Sequence, residues 1–452
     1  MIMSLLLATG SCNVLNQDPY SSIADSGAIK DKYSVEGAIN GMYSALQSTD
    51  YYGGEFVFMN SLLGDESAHT GSFPTNAQFY VNQVLPNNVT MSNIYGAIYN
   101  VVYKANVIIT RTPALAEKGI TADEKAQFVA QAKFVRALCF FDLARLWGNV
   151  PLPVDDDVFK SAKLAQTPQA QVYAKVIEDL EAIQNILPVS YSAPKGSAVS
   201  DEQCTKAQAT SAAVKALLAR VYLYTKQYSK AAITAKEVLS MGFSLDNDYG
   251  NLFIPGGTLS KEHIFNVYYD TNDKNTLAFY FFPAPEGRRE LGPSSDLLSA
   301  LLNEDARRIN VIKKTGGITY GYKYKDAGTG TDQPTILRAA EMVLIRAEAL
   351  AMSAAIPPSE AIDLLNSVRV RSGLKTISPR SQEEFMNELL AERMREFCFE
   401  PHRFTDLTRT GKADEVLSFV KGEDAWQTTD ALLPIPASEI IRNPALVQNP
   451  GY

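Results

Sequence analysis

Residues 209–242, ATSAAVKALLARVYLYTKQYSKAAITAKEVLSMG, decide how the fold is read. A long apolar-periodic segment begins near Ala209, a turn falls at Lys226-Gln227, and a second segment stops at Gly242. The small residues Ala219, Ala231 and Ala235 beside Leu218, Val221 and Tyr222 echo the tetratricopeptide pattern, in which small side chains let paired helices approach closely. Residues 336–373, ILRAAEMVLIRAEALAMSAAIPPSEAIDLLNSVRVRSG, repeat the layout, broken at Pro357-Pro358 and stopped at Gly373. Paired helices are therefore predicted over about 209–241 and 336–372.

Working outward, Thr121-Ala122-Asp123-Glu124 is a capping-box pattern, in which the Thr oxygen and the Glu carboxylate each satisfy an orphan N–H. Behind it Phe128, Ala132, Val135, Leu138, Cys139, Leu143 and Leu146 recur at helical spacing up to Gly148. Ile94, Ile98, Val101, Val102, Ala105 and Ile108 make another helix, with Tyr95, Tyr99 and Tyr103 at every fourth position. Three long stretches lack a period: about 51–93, 151–168 and 268–334. Long loops in a compact protein are usually functional. Residues 262–269 (EHIFNVYY) and the run ITYGYKYKD from Ile318 are strand candidates.

The chain has 452 residues, 46% hydrophobic and 20% charged, with a net charge of -8. That balance excludes the basic footprint of a nucleic-acid binder. No stretch of roughly 18 apolar residues occurs, so no spanning helix is predicted. Three scattered histidines and the absence of any CxxC argue against a metal site, and no cofactor motif is present. Cys139 and Cys398 lie in apolar helix-like contexts and Cys204 in a polar one, so no disulfide is demanded. Near the start, SLLLATGSC leads small residues into Cys12, the shape of a bacterial lipoprotein signal without its basic region and with Thr9 in a usually aliphatic place. The bland alternative is an incidental cysteine.

Segments from end to end resemble the SusD/RagB family of outer-membrane nutrient-binding lipoproteins. They include VEGAINGMYSAL, IYNVVYKANVII, AKFVRALCFFDLARLWGNVPLP, AAVKALLARVYLYTKQYSKAA, ILRAAEMVLIRAEALA and LLNSVRVRSGL. The most specific are ERMREFCFEPHRFTDLTRTGK and the closing LLPIPASEIIRNPALVQNPGY. The resemblance implies a mainly α fold: a tetratricopeptide-like hairpin scaffold, a loop-rich ligand-presenting part and few short strands. It implies lipidation at Cys12, just ahead of Leu15-Asn16-Gln17-Asp18-Pro19. On this basis residues 1–11 are a signal remnant, 12–20 a tether, and 21–452 one domain, with an N-terminal helical part at about 21–245 and a C-terminal part at about 260–452. It further implies a cell-surface outer-membrane protein that captures an oligosaccharide and passes it to a SusC-like TonB-dependent transporter, without enzymatic activity.

A pyranose offers an apolar face for an aromatic ring and hydroxyls for Asp, Asn and Arg. Two loops carry that mixture. In 64–83 the candidate contacts are Asp65, Glu66, His69, Phe73, Asn76 and Tyr80; in 268–290 they are Asp270, Asn272, Tyr280 and Arg288. Phe279, Phe281 and Phe282 are each better read as core. The acidic pairs Asp65-Glu66 and Asp155-Asp156-Asp157 are normally solvated, and the Arg- and Glu-rich segment from Glu392 to Asp406 reads as an ion-pair network rather than a catalytic centre. Peptide capture, or a helical-repeat scaffold for a protein partner, is the competing function.

Overall fold

In the computed structural model, the described residues are 29–452 apart from 117–118, 257–258 and 423–424, so Cys12, the signal remnant and the tether lie outside them. Helices dominate. α1 (Lys32–Leu46) starts on a reciprocal cap between Asp31 and Ser34. After α2 (Glu55–Leu63) and α3 (Pro74–Tyr80) come the two long helices α4 (Val89–Arg111) and α5 (Ala122–Trp147). α5 opens on the Thr121–Glu124 box and closes at Gly148, whose φ of 71° is the left-handed turn that glycine adopts without a Cβ penalty.

A short α6 (Val158–Ser161) leads to α7 (Gln169–Ile183) and α8 (Asp201–Lys206). The hairpin α9 (Ser211–Tyr224) and α10 (Tyr228–Ser240) follows, with Lys226 at φ 57° making the turn. Between the two hairpins lie α11 (Leu277–Phe281), α12 (Ser295–Ala300) and α13 (Arg308–Val311). The second hairpin is α14 (Ala339–Met352) and α15 (Ser359–Arg371), and α16 (Gln382–Phe397), α17 (Arg403–Arg409), α18 (Ala413–Lys421) and α19 (Ala437–Arg442) complete the set. α4 packs on α5, α5 on α7, α7 on α9, and α10 on α14, so adjacent helices stack in sequence as the alanine-rich faces predict.

Among the described residues, eight short strands form four antiparallel pairs. They are β1 (Ser67–His69) with β5 (Leu291–Pro293), β2 (Val150–Pro151) with β3 (Gln166–Thr167), β4 (His263–Asn266) with β8 (Thr335–Arg338), and β6 (Ile312–Thr315) with β7 (Ile318–Gly321). The expected strands at 262–269 and from Ile318 are β4 and β7.

The stretches read as aperiodic contain α2, α3, α6, α11, α12 and α13. α2 shows why. Every residue after Glu55 is buried, Asn60 and Ser61 included, so EFVFMNSLL has no solvent face and presents no amphipathic period. The core extends from Ile29 to Leu446 and includes the free thiols Cys139 and Cys398. The C-terminal tail is sewn into it. Trp147 Nε1 donates to Pro434 O at 3.0 Å, and Asn449 Nδ2 donates to Trp147 O at 2.9 Å and to Leu433 O at 2.7 Å.

The Arg- and Glu-rich segment is an ion-pair network, and it is buried. Glu396 receives Arg307 at 2.9 Å, Arg338 at 2.6 Å and Arg371 at 2.6 Å. Arg338 also binds Glu262 at 2.6 Å and Glu400 at 2.9 Å, and Lys323 adds to Glu400 at 2.8 Å. Burial opposes the charged form of Glu396, but the three guanidinium groups win and hold its carboxyl well below the usual range. Arg393 binds Asp406 at 2.6 Å, and His402, buried among arginines, is held neutral.

Candidate functional site

The pairing of β1 with β5 brings the two candidate loops together, with His69 opposite Leu291. The ladder continues one step further, where Thr70 N donates to Glu290 O at 2.9 Å. Glu290 then organises the junction. Its buried carboxylate accepts from Ser72 N and Phe73 N, both at 3.2 Å, and from Arg288 Nε at 2.6 Å, with His69 Nε2 at 3.6 Å. Gly71 is required here, because a Cβ would overlap the Glu290 carboxylate.

On this frame the Arg288 guanidinium lies 3.7 Å above the centre of the Phe73 ring. Tyr280 stands 6.2 Å from Phe73 and Phe279 stands 5.6 Å from Tyr280, centre to centre. Beneath them Phe58 supports Tyr280 edge-on at 5.1 Å. Phe279 is 40% exposed, whereas Phe281 and Phe282 are core as expected. The result is a strip of three rings set edge to face, Phe279 exposed and Phe73 and Tyr280 half-buried, bordered by Arg288 and His69.

Glu55, the first residue of α2, borders the strip. Burial, then the neighbouring Asp50 and Glu290, raise its carboxyl to about 7, and its Oε2 is buried without a partner. Tyr280 is raised by burial and by Glu55. One group near the strip therefore exchanges a proton near neutral pH.

Of the sequence-predicted contacts, His69, Phe73, Tyr280 and Arg288 converge here. Asp65 and Glu66 do not: they point inward, not to solvent as isolated loop carboxylates would. Asp65 holds Arg403 in a bidentate pair at 2.6 and 2.7 Å. Glu66 accepts from Phe399 N at 3.0 Å, and burial raises its carboxyl to about 8. Asn76 is buried on α3, and Tyr80 lies under the Lys421 ammonium at 4.4 Å. Asp270 and Asn272 form a separate exposed turn, where Asp270 Oδ1 accepts from Asn272 N at 2.7 Å. Asp155, Asp156 and Asp157 serve as ion-pair partners and a helix cap. Glu55, Phe279 and Glu290 were missed as contacts. A lone acid opening an otherwise apolar helix is the signal that marks Glu55.

Two family models match. One, described as "SusD family", covers residues 308–452, and the other, "Starch-binding associating with outer membrane", covers 14–223. A SusD-like protein of Formosa agariphila is 28% identical, over 99% of this chain and 98% of its own. Among solved structures, a SusD superfamily protein of Bacteroides vulgatus superposes with a TM-score of 0.82 at 20% identity, covering 94% of this chain and 99% of its own. A surface glycan-binding protein of Bacteroides thetaiotaomicron, solved with laminarihexaose, superposes at 0.77 with 22% identity, covering 93% of this chain and 100% of its own. The expected mainly helical, tetratricopeptide-like fold is the fold these structures share with it. Among the described residues no helix is long and apolar enough to cross a membrane. The two family models, a relative similar over its full length and the shared fold agree, and the chain is similar to SusD family proteins over nearly its whole length.

Proposed function

We propose that this protein is a surface glycan receptor, a capture protein and not an enzyme, that stacks a neutral oligosaccharide on the strip Phe73–Tyr280–Phe279. It delivers the sugar to a SusC-like TonB-dependent transporter and is held at the outer membrane by lipid on Cys12. The observation that carries the reading is the strip itself. Three neighbouring rings reach the surface, Phe279 exposed and Phe73 and Tyr280 half-buried, while most large aromatic side chains are in the core, and a guanidinium beside them offers planar donors to sugar hydroxyls. The matched description of outer-membrane association and a relative's complex with laminarihexaose support the class of ligand and the location.

A glycan array probed with the Cys12→Ala protein tests it. Binding to neutral glycans, unchanged between low and high salt, is the expected result. Peptide binding that weakens as salt screens charge would instead establish the competing function. For the anchor, Cys12→Ala behind a complete signal should move the protein from the membrane to the soluble fraction; retention would refute it. Product release from polysaccharides that vanishes in Glu55→Gln would show an enzyme.

A further inference from the structure

Away from the aromatic strip, an unmatched buried polar side chain lines a concave part of the surface. A cleft of about 410 Å³ opens between the C-terminal half of α1, the stretch 194–208, and β4 with the turn after it. Tyr43, Gln47, Gln208, Asn266 and Tyr268 are among its lining residues, and none of the strip residues is. Its volume falls within the roughly 300–1,000 Å³ that small-molecule sites occupy. Asp273 is the sole charged side chain lining it, and the rest are amides, hydroxyls, rings, aliphatic groups and the Cys204 thiol.

Asn266 is the decisive residue. It is 1% exposed, yet neither its Nδ2 nor its Oδ1 has a hydrogen-bond partner. A buried amide with both ends unmatched is costly unless something else supplies the bonds. The residue sits where the β4–β8 register shifts, a place where irregular strands re-aim a side chain. The Tyr268 ring, partly exposed beside it, supplies a flat apolar surface.

We propose that this cleft is a second binding site, for a small neutral polyhydroxylated ligand such as a mono- or disaccharide, with Asn266 accepting from one hydroxyl and donating to another. It rests on the reading of the protein as a glycan receptor and adds a site that holds a short sugar away from the strip. The exposed Asp270–Asn272 turn, which ends at Asp273, forms one lip of this cleft and not part of the strip.

Cys204 supplies the test, because its partly exposed thiol lines the cleft while Cys139 and Cys398 are buried. In the full chain carrying Cys12→Ala, iodoacetamide alkylation of Cys204 is followed by mass spectrometry with glucose, galactose, mannose, xylose or laminaribiose. A sugar with Kd about 1 mM, present at about 10 mM, should slow the reaction about tenfold. Protection should persist in the Phe73→Ala/Tyr280→Ala double variant and disappear in Asn266→Leu, which keeps or raises the thermal midpoint by removing the unmatched amide. Tyr268→Ala, at the rim, should lose protection as well. Unchanged alkylation with all five sugars overturns the second site, as does protection that survives Asn266→Leu and Tyr268→Ala. The small adjoining cavity, which also contains Asn266 and Gln333, then explains the amide as a water site. Calorimetry with laminarihexaose separates the two readings: heat lost in the double variant, with Cys204 unprotected, refutes only the cleft, whereas no heat with any glycan refutes the receptor reading itself.

Discussion

Glu396 and Glu55 are both carboxylates removed from water, and the chain treats them in opposite ways. Glu396 lies under three guanidinium groups, with both oxygens bonded, in a network that Arg338 extends to Glu262 and Glu400. Glu55 has an unbonded buried oxygen, other carboxylates for neighbours and the strip of rings beside it. Both regions are rich in charged side chains. What separates the two carboxylates is saturation: where both oxygens meet guanidinium donors the charge holds elements together, and where an oxygen is left over the surface is prepared for something else.

Breaking the saturated side should have the largest effect. Arg338→Ala leaves Glu262, Glu396 and Glu400 facing one another without their shared cation, and stability measured by urea unfolding should fall by about 3–5 kcal/mol. A loss under about 1 kcal/mol would show that the network contributes little. On the open side, Phe73→Ala or Tyr280→Ala should weaken glycan binding about 10- to 30-fold in calorimetry, while the folded state changes little. Equal affinity in both variants would move the site elsewhere.

Glu55 sharpens the contrast through pH. Its carboxyl in the folded protein is near 7 against an ordinary 4.5, so the protonated form is the one favoured by folding. That contribution is complete below about pH 4.5 and is lost as pH rises through 7. Glu55→Gln should therefore match the wild type at low pH and exceed it by about 2 kcal/mol at pH 8, measured by denaturant titration at both values. The smallest expected change is in Arg288→Ala. Its guanidinium is 40% exposed but Glu290 is buried, and Ser72 N and Phe73 N still hold that carboxylate, so stability should fall by about 1–2 kcal/mol even where glycan affinity drops more.

The helical scaffold was legible because its signals are local. The Thr121–Glu124 box, the stop at Gly148, the turn at Lys226 and the Pro357-Pro358 break each act within a few residues. α2 was not legible, since burial on all sides erases the period that identifies a helix. In the site, the residue types were readable and their sorting was not. Asp65 and Glu66 turn inward because Arg403 and Phe399 reach them across more than three hundred residues, and no short motif encodes such a pairing. The union of the two loops depends on a three-residue ladder, shorter than any alternation a sequence can display.

That ladder also fixes when the proposed strip can first form. Phe73 emerges early from the ribosome or translocation machinery, but Tyr280, Arg288 and the strand that joins them to it arrive more than two hundred residues later. The Arg403 that holds Asp65 comes later still, and Asn449 follows to secure Trp147. A nascent chain thus carries the first half of its platform with no competence to hold ligand. Under the proposed function, ligand capture waits until residues 280–293 have joined the first loop, so a partly exported molecule does not compete for sugar.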